Sequence, residues 1–416
     1  MTKPLRIAQV VGNLETGGTQ TLIMELMRRL DRTRFDPTII YFKDPNHFAE
    51  EIAEKKWRAI KGRASRSYKP AEIRALANIF EREQFDIVHT HSDFANFAGR
   101  AAAICARAPR IIAHYHNTYA HRMDEYFHAM EAQLAGRTDA YVACSEGVER
   151  FMRDHLDLRA RPLYLLQNGV DLAPYRAVAV KRDIARANMG CAAETFHIVH
   201  TARLEPHKQP QLLVEALALM NHAESEALGP WKLTFVGGGS LRVAMEAELK
   251  ILDKLTYERT GHAISERVHF VGWSKDIAGW LAAANVFCLV SRNEGLPLSL
   301  VEAMAAGTPT ISSDIIGPQE VIGPGENGIM LTNADPRKIL DSMIALKVDR
   351  SRAAHFATNG RARAEQFSIE KFIARAEEIY DLVVSQPPID APALNPFTKY
   401  FYLGKLASLA KKRRAE

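Results

Sequence analysis

Short apolar runs alternate with helical segments along most of this chain, and the alternation occurs as two separate series. In the first half, runs typical of buried strands are Leu5–Val11, Thr38–Phe42, Asp86–His91, Arg110–His116 and Ala140–Cys144. Helical segments lie between them, one from Gly17 to about Leu30 and another from about Ala71 to Glu83. Strands that alternate with helices form parallel sheets, so this half predicts a doubly wound α/β domain.

The second series begins after Gly190 and repeats the pattern. Its predicted strands are Phe196–Thr201, Lys232–Val236, Val268–Val271, Val286–Val290 and Thr308–Ser312. Residues 171–190 are the expected linker between the series. The sequence therefore predicts two Rossmann-like domains, residues 1–180 and 190–367, with a ligand cleft between them.

Length and composition agree with a two-domain globular protein. The chain has 416 residues, too many for one ordinary core, and its hydrophobic and charged fractions are 47% and 25%. No apolar stretch approaches the roughly 20 residues that span a bilayer. The first residues lead directly into a strand without a signal-peptide pattern, which predicts a cytoplasmic protein.

The cysteines and the net charge exclude some classes of site. The four cysteines, Cys105, Cys144, Cys191 and Cys288, form no Cys-x-x-Cys pair, so we expect buried structural thiols rather than disulfides or a metal site. A net charge of +5 suits an anionic ligand or membrane surface and does not require nucleic acid.

Two glutamates lie near the end of the fourth strand of the second series. Glu294 falls on a strand-to-helix loop, and Glu302 falls inside the following helix, for which Gly307 fits a left-handed terminator. Ligands of open α/β sheets bind at the carboxyl ends of strands. Carboxylates there accept hydrogen bonds from sugar and ribose hydroxyls, while the amino end of the helix attracts phosphate.

Two cations and a run of glycines follow other strands of this series. Arg203 and Lys208 share a loop and can neutralise a diphosphate, including one that departs as a leaving group, although solvated surface charges give the same pattern. The run Gly237–Gly239 lies between a strand and a helix and either meets a phosphate or simply turns the chain.

The first strand is followed by the spacing Gly12-x-x-x-x-Gly17-Gly18. This is not the dinucleotide fingerprint, and no Gly-Lys-Ser/Thr ends it, so both the dehydrogenase and the P-loop classes are disfavoured. Paired glycines at a helix start still let a ligand approach the backbone closely, although a plain tight turn has the same sequence.

Histidines occur as two His-x-His pairs at strand ends, His89 with His91 and His114 with His116. Alternate strand residues share a face, so each pair has the spacing to chelate zinc, but no carboxylate or cysteine completes a set. Hydrogen bonding to a sugar, lining of a cleft, and a structural role, above all for His89, are the alternatives.

The end of the chain has two parts. Residues 368–384 show the pattern of an amphipathic helix, with Ser368 as its cap, and we assign 368–390 to this segment. Residues 391–416 form a basic and aromatic tail, in which the mixed stretch starts at Asn395. That composition fits either an interfacial helix on an anionic membrane or a helix packed on the domain with a solvated end.

The order of these motifs resembles glycosyltransferase family 4, whose members are retaining transferases with the GT-B fold. The resemblance covers about residues 5–384. It rests on Gly17-Gly18, His116-Asn117, Asn168 to Asp171, Arg203 with Lys208, Gly237–Gly239, and above all the stretch from Glu294 to Pro309.

The resemblance implies a GT-B architecture, two Rossmann-like domains facing each other across a cleft, with the acceptor on the amino-terminal domain and the donor on the other. Arg203 and Lys208 would hold the donor diphosphate, and backbone amides near Leu298 and Ser299 would touch phosphate. Glu302 would bond the ribose and Glu294 the transferred sugar. It further places Gly17-Gly18 at the diphosphate, His116 beside the reacting sugar, and Gly238 in the donor site, where relatives often carry aspartate.

The implied reaction is the metal-independent transfer of a sugar (class EC 2.4) to a glycan or lipid-linked acceptor. The donor is a nucleotide-sugar, and we expect a UDP-sugar. Capsule, exopolysaccharide and lipopolysaccharide synthesis are the pathways such enzymes serve, with peripheral attachment to the cytoplasmic membrane. The lack of an Asp-x-Asp motif agrees with metal independence. A non-catalytic nucleotide-sugar sensor or partner subunit on the same fold is the alternative, and a nicotinamide oxidoreductase is a more distant one.

Overall fold

The computed structural model describes residues 3–65, 68–119, 125–179, 181–323, 325–387 and 389. These residues divide into two compact units: the described residues up to Asn168 together with those from Phe372 onward form the first, and Gly169–Lys371 form the second. The predicted domain boundary near residue 180 lies about a dozen residues later than this division. The predicted basic tail, residues 391–416, lies outside the described residues.

The first unit contains a parallel sheet of seven strands. They are β1 (Leu5–Leu14), β2 (Phe35–Asn46), β3 (Ala59–Lys61), β4 (Ile87–His91), β5 (Arg110–Tyr115), β6 (Ala140–Ala143) and β7 (Leu163–Leu165). Their order in the sheet is β3-β2-β1-β4-β5-β6-β7, and every pair is parallel. The order reverses between β1 and β4, and ligands of such sheets bind outside the carboxyl ends of the strands at this switch point.

Helices connect these strands, and buried side chains hold them on the sheet. They are α1 (Gly18–Arg29), α2 (Ala49–Glu54), α3 (Pro70–Glu83), α4 (Ser92–Ala106), α5 (Glu125–Ala135) and α6 (Glu146–His155). The α6 helix starts where the Ser145 hydroxyl accepts a hydrogen bond from the Val148 amide, a common N-terminal cap. The fully buried Arg100 of α4 is paired with Glu131 of α5 at 2.8 Å, so neither buried charge is left uncompensated.

The second unit contains a parallel sheet of six strands. They are β8 (Phe196–Thr201), β9 (Trp231–Val236), β10 (Val268–Gly272), β11 (Val286–Leu289), β12 (Thr310–Ser313) and β13 (Ile329–Leu331). The order β10-β9-β8-β11-β12-β13 repeats the topology of the first sheet and places the switch point between β8 and β11. The core lies between the sheet and its helices and includes Leu213, Leu233, Phe235 and Ile339, all fully buried.

The remaining helices surround this sheet or end the described chain. They are α7 (Ala173–Ala179), α8 (Arg182–Asn188), α9 (Gln211–Ala218), α10 (His222–Leu228), α11 (Arg242–Thr260), α12 (Ile277–Ala283), α13 (Leu298–Ala305), α14 (Pro318–Val321), α15 (Pro336–Val348), α16 (Arg350–Ala364) and α17 (Ile369–Ser385). The predicted linker, 171–190, forms α7 and α8, which pack on α12.

Several sequence predictions about local structure are confirmed. Gly307 follows α13 with a φ of +74°, the left-handed conformation expected there, and a side chain at this position would collide with Arg361. All four cysteines are buried and free. Among the described helices, none combines the length and the apolar character needed to cross a membrane.

Candidate active site

The predicted donor-site loops of the second unit meet at its switch point. Arg203 and Lys208 follow β8, and Glu294 follows β11, the neighbouring strand. A backbone hydrogen bond of 2.8 Å from the Arg292 amide to the His207 carbonyl joins the two loops. The sheet order thus brings together side chains that are separated by about 90 residues in the sequence.

Lys208 and Glu294 form a largely shielded ion pair. The Lys208 ammonium donates to Oε1 of Glu294 at 2.6 Å, and the Ser291 hydroxyl donates to the same oxygen at 2.6 Å. Glu294 is only 6% exposed. Because both bonds within the described part of the chain go to Oε1, the second oxygen, Oε2, can accept a hydrogen bond from a ligand.

Unlike the largely shielded Lys208, Arg203 has an exposed side chain. The backbone around Arg203 is nevertheless fixed by hydrogen bonds. The Leu204 amide donates to the Gly238 carbonyl at 2.8 Å, and the Leu241 amide donates to the Leu204 carbonyl at 3.0 Å. Among the described residues, no hydrogen bond or ion pair engages the Arg203 guanidinium. It is therefore a cation on a rigid loop that can bind an anionic ligand.

The glycine run lies against the backbone of the Arg203 loop. Gly237 and Gly239 have φ of +140° and +159°, and a side chain on either would collide with the carbonyl oxygen of Ala202 or Leu204. A side chain on Gly238 would have open space. Two of the three glycines are thus needed for close packing, which fixes the position of Arg203.

Glu205 also fixes this loop and was not predicted from the sequence. Its carboxylate accepts hydrogen bonds from the amide and the hydroxyl of Ser240, at 3.1 and 2.8 Å. These bonds lower the pKa of Glu205 against the opposing effect of burial. The carboxylate therefore stays ionised and ties the Arg203 loop to the start of α11.

Glu302 lies in the second turn of α13, as predicted, in a different environment from Glu294. Burial raises the pKa of its carboxyl group to about 7, although a hydrogen bond from the hydroxyl of Tyr175 acts in the opposite direction. Tyr175 lies in α7, and this partner was not predicted from the sequence. Leu298 and Ser299 form the amino end of the same helix, where no side chain of a described residue caps the backbone amides.

In the first unit, Gly17 and Gly18 lie at the amino end of α1. Gly17 is the N-terminal cap residue, no side chain in the described part of the protein caps the helix, and its first turn carries no acidic residue. Uncapped amides and the helix dipole favour an anion at such an end. The glycine pair therefore has the expected place, beyond the end of β1.

The two predicted histidine pairs of the first unit come together in one cluster, which we call the histidine cluster: His89, His91, His114 and His116. Neighbouring strands β4 and β5 pair His91 with His114. Ring centroids are 4.2 Å apart for His89 and His91 and 3.9 Å apart for His114 and His116. The spacing predicted each pair, but only the strand register shows that the pairs meet.

All four rings of the histidine cluster are neutral at physiological pH. Desolvation lowers the pKa of His89 and of His116 to about 3, and it lowers the pKa values of His91 and His114 well below the ordinary value. Neighbouring imidazoles oppose the charged form further at His89, His91 and His114. Neutral rings can either bind a metal or form hydrogen bonds.

A metal is the first candidate ligand, since nitrogen atoms of His89, His91 and His114 lie within 4.8 Å of one another. Nitrogen ligands of tetrahedral zinc lie roughly 3.4 Å apart, given zinc–nitrogen bonds of about 2.1 Å. However, His91 already bonds through Nε2 to Gln9 at 2.7 Å and through Nδ1 to His116 at 3.0 Å. The geometry therefore favours a hydrogen-bonded cluster, and the lack of a metal cofactor stays a prediction.

Two family models match the chain in succession. The model for Glycosyltransferase Family 4 matches residues 16–174, and that for Glycosyl transferases group 1 matches residues 195–349. The first stretch contains the glycine pair and the histidine cluster, and the second contains Arg203, Lys208 and both glutamates.

Curated relatives and solved structures agree with the family models. The putative glycosyltransferase EpsF of Bacillus subtilis (strain 168) is 29% identical over 320 residues, which are 75% of this chain and 79% of EpsF. An Escherichia coli UDP-Gal:α-D-GlcNAc-diphosphoundecaprenol α-1,3-galactosyltransferase is 24% identical over 319 residues, with the same two coverages. The Anabaena protein HepE in complex with UDP is similar in structure, with a TM-score of 0.75 and 20% identity over 91% of this chain and 100% of HepE.

Two doubly wound parallel-sheet units, their switch-point loops and these similarities together define a glycosyltransferase with the GT-B fold. Sucrose-phosphate synthase of Thermosynechococcus elongatus shares that fold, with a TM-score of 0.71 and 19% identity over 91% of this chain and 99% of the synthase. The chain belongs to glycosyltransferase family 4.

Proposed function

We propose that this chain is a retaining glycosyltransferase that moves a sugar from a UDP-sugar to a glycan or lipid-linked acceptor during synthesis of a cell-surface polysaccharide. The observation that carries the proposal is the arrangement at the second switch point, where the Lys208–Glu294 pair adjoins the loop of Arg203, whose guanidinium is bonded to no described residue. The UDP and UDP-glucose complexes of HepE and the diphosphoundecaprenol acceptor of the Escherichia coli relative support the choice of donor and acceptor.

The chemistry of the proposed reaction requires cations at the leaving group. When the bond from the sugar to the diphosphate breaks, positive charge develops on the sugar ring and negative charge on the diphosphate. Arg203 and Lys208 stabilise the negative charge more strongly in the transition state than in the ground state, and this difference increases the rate. Two cations in this place take the role that a divalent metal has in other transferases, so we propose that no metal is needed.

The two glutamates have separate tasks in the proposal. Glu294 accepts hydrogen bonds from hydroxyls of the transferred sugar through Oε2, the oxygen that is not bonded to Lys208 or Ser291. Glu302 accepts hydrogen bonds from the ribose hydroxyls, which replace the hydrogen bond from the hydroxyl of Tyr175. The amides of Leu298 and Ser299 donate to phosphate, and Gly238 lines the donor site.

In the amino-terminal unit we assign the glycine pair Gly17-Gly18 to the diphosphate and His116 to the reacting sugar. The uncapped amino end of α1 supports the first assignment, since it attracts an anion. A neutral imidazole with a nitrogen that has no partner among the described residues supports the second, because that nitrogen can accept a hydrogen bond from a sugar hydroxyl. We further propose that residues 395–416 attach the protein peripherally to an anionic membrane, which suits a lipid-linked acceptor.

A thermal-shift screen against UDP-, GDP-, ADP- and dTDP-sugars tests the donor class. A donor that binds the folded protein raises its melting temperature by mass action, so the UDP-sugars should give the largest shifts. Incubation of the best donor with lipid-linked acceptors, followed by NMR analysis of the anomeric configuration, then tests for retaining transfer. Donor binding without any transfer or hydrolysis would instead support the non-catalytic sensor.

A further inference from the structure

A buried polar side chain of the first unit contacts the histidine cluster from β1. Gln9 is fully buried, and the register of β1 and β4 pairs it with His89, so its side chain shares a sheet face with the cluster. Burial of an amide is costly unless its donors and acceptors are engaged. The partners of Gln9 therefore indicate why an amide is placed here.

Gln9 is the centre of a chain of short hydrogen bonds. Its Oε1 lies 2.7 Å from Nε2 of His91, and its Nε2 donates to the Tyr380 hydroxyl at 2.8 Å. That hydroxyl lies 2.9 Å from Nδ1 of His89. On the other side, Nδ1 of His91 lies 3.0 Å from Nε2 of His116. The chain thus runs from α17 through Gln9 to the histidine to which we assign the reacting sugar.

Donor and acceptor roles along this chain follow from the orientation of the amide. An amide oxygen only accepts, so Nε2 of His91 must carry the proton. A neutral imidazole has a single N–H, so Nδ1 of His91 is an acceptor. Its partner, Nε2 of His116, must therefore carry the proton of that ring, and Nδ1 of His116 is left as an acceptor.

The Nδ1 atom of His116 is shielded from solvent and has no hydrogen-bond partner among the described residues. A buried acceptor without a partner costs free energy, which a ligand hydroxyl regains when it donates to that atom. The fixed tautomer of His116 thus matches the sugar-binding role.

We propose that Gln9 is a positioning residue for His116: acting through His91, it determines which imidazole nitrogen of His116 carries the proton. The link to transfer rests on the proposed function, but the tautomer itself does not. In the reverse tautomer, Nδ1 of His116 would be a donor, and it would compete for the oxygen of a hydroxyl instead of accepting its proton.

Nitrogen-15 NMR of the full-length protein labelled at histidine tests the proposal directly, because protonated and unprotonated imidazole nitrogens have very different shifts. The His116 signals are assigned as those lost in His116→Gln. Without any ligand, we expect the proton on Nε2 of His116. A proton on Nδ1 of His116 in the wild-type protein would overturn the proposal. Apart from His116→Gln, which assigns the signals, this measurement needs no variant.

Two substitutions of Gln9 form a matched pair. Gln9→Glu keeps an acceptor toward His91, so the His116 tautomer should be unchanged. Gln9→Leu removes the acceptor, so the signals should shift to those of a mixture of tautomers, and transfer should fall about tenfold, the effect of one hydrogen bond. An unchanged tautomer in folded Gln9→Leu would also overturn the proposal. If the NMR result holds but no transfer is found, the proposed function alone fails.

Discussion

Lys208 is the residue whose removal separates a structural from a catalytic role most clearly. Its ammonium is 2.6 Å from Oε1 of Glu294, and the two side chains are 17% and 7% exposed. Replacement by methionine keeps the aliphatic part of the side chain but leaves the Glu294 carboxylate with Ser291 as its remaining partner. Both stability and activity should therefore decrease.

The loss of stability and the loss of activity differ in size, and a second substitution should restore only the stability. An unpaired buried charge costs about 3–5 kcal/mol, and about 3 kcal/mol corresponds to a melting-temperature decrease of about 6–12 °C in a domain of about 200 residues. Loss of a cation at the leaving group should lower kcat about 10²–10³-fold. Glu294→Gln removes the unpaired charge, so the double variant Lys208→Met/Glu294→Gln should regain most of the stability and none of the activity.

The assay measures melting temperature by calorimetry and release of UDP from the donor that the thermal-shift screen identifies. A double-mutant cycle on melting temperature then gives the coupling between the two side chains, which should be about 2–3 kcal/mol. If Lys208→Met keeps near-normal turnover, Lys208 does not bind the diphosphate. If the double variant regains activity, Lys208 acts only by neutralising Glu294.

Four further predictions follow from the geometry and the charges. Gly237→Ala should lower the melting temperature by several degrees, because its side chain would meet the Ala202 carbonyl oxygen, whereas Gly238→Ala should not; equal melting curves would contradict the packing argument. Since the pKa of Glu302 is raised to about 7, the folded protein loses stability as the pH rises from about 4.5 to 7, and Glu302→Gln should abolish that part of the pH dependence of the melting temperature. The histidine cluster acts in the opposite sense: the unfolded chain takes up protons below about pH 6.5 that the folded chain does not, so the wild-type melting temperature should fall from pH 6.5 to 4, and a flat profile would refute the lowered pKa values. Transfer should persist in excess EDTA, and loss of activity that zinc or magnesium restores would show a metal requirement.

The sequence predicts the fold well where strands are long and central. The predicted strand Phe196–Thr201 coincides with β8, and most of the others agree within three residues at each end. The missed strands, β3, β7 and β13, have three residues each and lie at sheet edges. Two of them, β7 (LYL) and β13 (IML), consist of apolar residues, but three residues are too few to distinguish a strand from other short apolar runs.

The candidate site is predictable in part. Residues such as Lys208 and Glu294 follow central strands, and the switch-point rule brings such positions together. Other contacts join residues that are far apart in the sequence and could not be predicted. Tyr175, which bonds to Glu302, is 127 positions before it, and Gln9 is 371 positions before its partner Tyr380. Ser291 is an exception, since it lies three residues before Glu294 on the same loop.

Calorimetric titration of UDP into the wild-type protein and Arg203→Ala tests the central assignment most directly. The Arg203 side chain is exposed, and its guanidinium makes no hydrogen bond or ion pair with any described residue, so its removal should leave the fold intact. Arg259→Ala, near the far end of α11 from the glycine run, is a matched control. We predict that Arg203→Ala weakens UDP binding about 10–150-fold, the value of a charged hydrogen bond, while Arg259→Ala binds normally. Equal affinities of Arg203→Ala and the wild type for UDP would contradict the donor site described above.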